Sequence, residues 1–128
     1  MKGEDFCTIT ILTKGTLPRV PFVSIKNVVL GQGYELGISF VSPATQRAFN
    51  RRYRGKDTTT NILSFPLSET SGDITFDLGR VRKDAPLHDM TYRKFLTYLL
   101  IHGLLHLKGF EHSSTMEKEE RKFLKMFS

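Results

Sequence analysis

Residues 89–112 read DMTYRKFLTYLLIHGLLHLKGFEH, and this stretch sets what the rest of the fold must support. It holds the longest helical pattern in the chain, which predicts a helix over about 89–108 with Gly109 as its stop. His102 and His106 continue the apolar stripe of Phe95 and Leu99, so both imidazoles point inward. One turn apart on one face, they converge on a single point. Gly109 is free to adopt a left-handed backbone, letting the chain fold back and return His112 to the open side of the pair. Three neutral imidazoles leave one position of a tetrahedral zinc for water, as in catalytic rather than structural sites. Bound zinc brings the pKa of that water towards ~7. One buried histidine is commonly just hydrogen-bonded. Two stacked on an apolar face, with a third beyond a glycine, point to a metal. His88 falls outside the spacing and reads as an ordinary surface residue.

Upstream of this helix the pattern changes to short elements. Cys7, Ile9 and Ile11 alternate with Thr8 and Thr10, predicting a half-buried strand over 7–12. Phe22, Ile25 and Val29 follow Pro21 at helical spacing, with Gly31 placed to end that helix. Leu36, Ile38 and Phe40 mark a second strand. Ser42 and Pro43 have the pattern of a helix N-terminus, and that helix runs to about Tyr53. Residues 61–65 and 73–77 read as strands closed into a hairpin through 69–72. A capping box of Ser114 and Glu117 opens a last helix carrying Met116, Phe123, Leu124 and Phe127. The order β-α-β-α-β-β-α-α predicts an α+β fold: a small mixed four-stranded sheet packed with helices, the HxxxH helix lying near the C-terminus. With no repeat or linker in sight, residues 1–128 read as a single domain.

Composition narrows the function. The 128 residues include 19 basic and 13 acidic side chains, a formal charge of +6, with 39% hydrophobic and 25% charged residues. That is an ordinary globular composition. No apolar run approaches the ~20 residues of a membrane span. The single cysteine, Cys7, excludes a disulfide scaffold, and Glu4 and Asp5 stand where a signal peptide would be basic, so a cytoplasmic location is expected. The charge is concentrated: Arg47, Arg51, Arg52, Arg54 and Lys56 fall within 47–56 without an acid, interleaved with Phe49 and Tyr53. Such a run attracts phosphates, although an arbitrary basic run is more often a solvated helix face or loop.

Three motifs carry a resemblance. HGLLHLKGFEH at 102–112 is similar to H-G-x-L-H-L-x-G-Y/F-D/E-H, and NRRYRGKDTTTNILSFP at 50–66 to N-x-x-Y-R-x-K-D-x-x-T-D/N-V-L-S-F-P. Gly72, Asp73 and Ile74 form the third. Together they resemble the YbeY family, bacterial endoribonucleases that mature ribosomal RNA. The resemblance implies one zinc (or another divalent transition metal) per chain, held by His102, His106 and His112. Arg54 and His106 are then the expected catalytic residues, and Arg51, Arg52, Arg54 and Lys56 the RNA contacts. A guanidinium suits the role, since it holds a phosphodiester by two hydrogen bonds and stabilises developing charge. Asn50, Ser64 and Asp73 also match, but turn-capping or strand-end roles suit their short polar side chains better.

The implied activity is single-strand-specific cleavage in 3′-end maturation of small-subunit ribosomal RNA, with the small ribosomal subunit as partner and a role in ribosome assembly or quality control. Departures are Phe110-Glu111 for the usual Tyr-Asp and Asn61 for Asp. A carboxylate often orients a ligating histidine, so Glu for Asp at 111 is expected to alter metal affinity without abolishing it. Two alternatives remain open. One is a ribosome-binding assembly factor whose metal is structural. The other is a metzincin-like metalloprotease, whose H-x-x-x-H-x-x-G-x-x-H spacing the chain shares, although Gly103 stands where those enzymes carry their general-base Glu.

Overall fold

A computed structural model describes residues 6–127, so Glu4 and Asp5 of the export argument lie outside the described residues. Strands β1 (Cys7–Ile11), β2 (Glu35–Phe40), β3 (Ile62–Ser68) and β4 (Ser71–Phe76) form one sheet in the order β1-β2-β4-β3. Helix α1 (Phe22–Leu30) makes the crossover between β1 and β2, which pair in parallel, as do β2 and β4. β3 and β4 form the expected antiparallel hairpin, closed through Glu69 and Thr70, with Ser71 already in β4. The mixed α+β sheet of the sequence reading is present.

Alternation decides which face is the core. Leu36, Ile38 and Phe40 of β2 are buried, and Ile38 and Phe40 lie in register with Ile74 and Phe76 of β4. Phe40 stacks on Phe76 with ring centroids 5.4 Å apart. Phe22, Ile25 and Val29 of α1 join the same cluster, as do Leu96, Leu100 and Leu104 of α4 (Tyr92–Lys108). The other face is covered over β3 and β4 by α2 (Pro43–Arg54), where the buried Gln46 exchanges two hydrogen bonds with Thr75. Phe49 and Tyr53 of α2 pack their rings on Phe65 of β3. These contacts fix where the arginine-bearing end of α2 lies.

Three local expectations are corrected. β1 is an edge strand, and Ile9 and Ile11 are 38% and 56% exposed rather than half-buried, because only β2 flanks it. An additional helix, α3 (Leu78–Asp84), followed by a 3₁₀ turn over Ala85–His88, lies between β4 and α4. Its seven residues bury only Leu78, Val81 and Asp84, too few apolar positions for a period to show in the sequence. The last helix, α5 (Ser114–Phe127), is capped by Ser113, whose hydroxyl accepts from the Met116 N–H at 3.2 Å. The capping residue is thus one position earlier than the Ser114–Glu117 box requires.

Candidate functional site

Helix α4 starts at Thr91, whose hydroxyl accepts from the Lys94 N–H, and stops at Gly109, where φ is +110°. There the Gly109 N–H donates to the His106 carbonyl and the Phe110 N–H to that of Leu105, both at 3.0 Å. This paired closure is a Schellman turn, which needs a left-handed residue and so favours glycine. The turn also aims the Phe110 carbonyl at His106 Nδ1, 3.0 Å away. A carbonyl only accepts, so His106 Nδ1 carries the proton and Nε2 keeps its lone pair. His102 repeats the arrangement, its Nδ1 lying 2.5 Å from a carboxylate oxygen of Glu120.

The two Nε2 atoms therefore face each other, 3.1 Å apart. With both rings neutral and their protons on Nδ1, two lone pairs meet at that distance, an arrangement that a shared cation relieves. Ligand nitrogens about 2.0–2.1 Å from a tetrahedral zinc stand roughly 3.3 Å from one another, so the pair is already spaced for one. The His112 ring lies 5.2 Å from that of His102 and 4.7 Å from that of His106. One ligand atom from each of the three falls within 4.8 Å of the others, so the trio can hold a metal ion. Burial pushes the His106 pKa below its ordinary value, and the neighbouring His102 and His112 lower it further while the Phe110 carbonyl works against them. The neutral imidazole, the form that binds metal, is thereby favoured.

Gly103 has a steric reason. A Cβ there would stand 2.8 Å from Ser64 Oγ, 2.9 Å from Ile62 Cδ1 and 3.1 Å from Ile74 Cδ1. The position faces the sheet, and Ser64 Oγ donates to the Gly103 carbonyl. No carboxylate fits where a metzincin would carry its base, which removes the support for a protease.

The histidines open onto a cleft of about 720 Å³, with Arg54 among its lining residues. Arg54 is brought there from the C-terminal turn of α2, which Gly55 ends at φ +69°. The Asn50 amide donates to the Thr58 carbonyl at 2.8 Å, fastening the loop that follows. Asn50 and Ser64 thus each make a hydrogen bond that holds the fold, and Ser64 also lines the cleft. The other cations are placed differently. Arg51, Arg52 and Lys56 are exposed and lie outside the cleft lining. Asp57, one residue past the acid-free run, takes two hydrogen bonds from Arg47 and lies 3.9 Å from Arg51. Arg52 and Lys56 make no ion pair among the described residues.

Three residues of the site escaped the sequence reading. His88 is exposed but forms part of the cleft wall, its ring stacked on Phe95 at 4.7 Å. Tyr98 borders the cleft beside His102, with rings 6.0 Å apart. Glu120 is the carboxylate hydrogen-bonded to a ring of the histidine cluster, His102; Glu111, which the family motif offers beside His112, is exposed and makes no such hydrogen bond among the described residues. A signal existed for Glu120: it interrupts the stripe Met116, Glu120, Phe123 on the buried face of α5.

A mixed four-stranded sheet, an HxxxH helix and a third histidine beyond its glycine stop define an α+β protein with a histidine cluster able to hold a metal ion. The family model described as Endoribonuclease YbeY matches residues 19–128, and the chain belongs to that family. Proteins named Endoribonuclease YbeY from Halalkalibacterium halodurans and Chelativorans sp. (strain BNC1) are 36% and 37% identical over 105 and 94 residues. These alignments cover 70% and 66% of this chain and 65% and 58% of those proteins. The chain therefore spans about three fifths to two thirds of the length of these curated relatives. A solution structure from Thermotoga maritima shares the fold, with a TM-score of 0.64 over 92% of this chain and 87% of that one, at 24% identity.

Proposed function

We propose that residues 1–128 form a single metal-dependent endoribonuclease domain that cleaves single-stranded ribosomal RNA and acts in small-subunit maturation. The observation that carries this reading is one cleft lined both by an arginine and by three histidines able to hold a metal. His102, His106 and His112 are the ligands in this reading, and zinc suits an all-imidazole set with a favoured neutral form. The bound ion supplies a Lewis acid at a phosphate oxygen. Arg54 holds the phosphodiester by charge-assisted hydrogen bonds and stabilises the charge that builds on it. Arg52 and Lys56, exposed around the same helix end, extend the attraction along the RNA backbone; Arg51 contributes less because Asp57 shares it.

With no protein base at position 103, the nucleophile is either the RNA 2′-hydroxyl or water. End-group analysis separates these routes, since the first leaves a cyclic phosphate. The competing reading, an assembly factor with a structural metal, expects a closed four-ligand site. Among the described residues the group has three ligands and faces an open cleft, which favours catalysis.

Parallel variants test the proposal. His106→Ala should lose metal and RNA cleavage together. Arg54→Ala should keep its metal and lose about 10²–10³-fold in kcat/KM, the effect of removing one positioned donor to developing charge. Cleavage that persists in metal-free His106→Ala would overturn the enzymatic reading.

A further inference from the structure

Helix α5 buries one face against α4, and Met116, Glu120 and Phe123 form it at the spacing of a core stripe. A helix there only for packing would carry Leu or Met at the middle position. Glu120 is instead a carboxylate only 6% exposed, and burying such a group is costly unless it is paired. It has two partners, both on α4 and both beside the metal cluster. One carboxylate oxygen lies 2.5 Å from His102 Nδ1, and the other accepts from the Tyr98 hydroxyl at 3.4 Å. His102 and Tyr98 are one turn apart, so the two bonds clamp the carboxylate between them.

We infer that Glu120 is a positioning residue for the metal centre and that the C-terminal helix is thereby part of that centre. The inference rests on the metal reading above. The carboxylate fixes the His102 ring in the tautomer that presents Nε2 to the ion and makes that nitrogen a stronger donor. Tyr98 holds the carboxylate in place from the other side. Docking of α5 and binding of the metal then support each other: a chain with α5 displaced binds metal weakly, and bound metal holds α5 down.

Two variants of the full-length chain separate this role from packing. Glu120→Gln keeps the shape and an accepting oxygen but removes the charge. Glu120→Leu completes the apolar stripe and removes the acceptor altogether. Zinc affinity is read by chelator competition with zinc ion alone, and the metal-free Tm is read on the same samples. Expected are zinc dissociation constants raised about 10-fold for Glu120→Gln and up to about 100-fold for Glu120→Leu, with metal-free Tm values equal to or above that of the parent. A merely structural Glu120 would show the reverse: lowered metal-free Tm and unchanged zinc affinity, which overturns the inference while leaving the metal site intact. A parent chain that binds no zinc overturns the metal reading itself, and this inference falls with it.

Discussion

At the scale of single residues, the buried polar groups divide by whether they have a partner. Gln46 and Glu120 are tied to named acceptors or donors, whereas Asn50 donates through its amide but leaves Oδ1 without a partner among the described residues. Tyr34 is 7% exposed, and its hydroxyl has no hydrogen-bond partner among the described residues. Burial raises its pKa above the ordinary 10.0, with Asp73 adding to the shift. The raised value means that the fold favours the neutral phenol. This contribution is fully present below pH ~10, where the unfolded tyrosine begins to ionise, and is lost as pH rises through the folded value. Tyr34→Phe should therefore stabilise the protein by about 1 kcal/mol at neutral pH, by removing an unsatisfied buried hydroxyl. It should also flatten the alkaline fall in stability. Urea unfolding of both proteins at pH 7.5 and pH 10.5 checks both effects; a destabilised variant at neutral pH would show that the hydroxyl is satisfied.

At the scale of elements, α4 is set by two glycines with different tasks. Gly109 ends the helix through its backbone conformation, and that role was readable from the sequence because a glycine past a helical period is a recognised stop. Gly103 is required by close approach of α4 to β3 and β4, a reason that the motif glycine at this position does not reveal. Gly103→Ala forces Ser64, Ile62 and Ile74 apart and should cost about 1–3 kcal/mol, as overpacking does in well-filled cores. Denaturant unfolding gives the number, and an unchanged midpoint would mean that the helix and sheet have room to shift. The same contrast explains what was missed elsewhere. α3 was invisible because it is short, whereas α4 was plain because seventeen residues repeat one period. The first strand reads as half-buried from alternation alone, but burial depends on what covers it, and an edge position leaves Ile9 and Ile11 in solvent.

At the scale of the whole molecule, the histidine cluster and the side chains around it come from parts far apart in the chain. Arg54 comes from α2, the histidines from α4 and the turn beyond it, and Glu120 from α5. A ligand that binds only this assembled state stabilises the fold by mass action. Zinc at 100 times its dissociation constant should add about 2.7 kcal/mol, a Tm rise of roughly 8–12 °C for a chain of this size. Excess chelator should reverse the rise, and His106→Ala should show none. Differential scanning calorimetry with and without zinc measures this directly; equal rises in both proteins would place the binding elsewhere. Among the described residues no helix is long and apolar enough to cross a membrane.

The amino-acid sequence by itself determined the α+β class, the helix that carries His102 and His106, its glycine stop and the return of His112. Each of these is local: a period, a backbone preference or a spacing within one turn decides it. The two long motifs were also enough to point to the family that residues 19–128 match. Only the tertiary structure decided which cations share the cleft with the histidines, because Asp57 and the packing of Tyr53 and Phe49 on Phe65 settle that over distances no local pattern encodes. It alone also decided that Glu120, and not Glu111, lies against His102. The physical reason is the same in both cases: which side chains a charged group meets depends on how separate elements dock, and docking is set by the apolar faces they bury together.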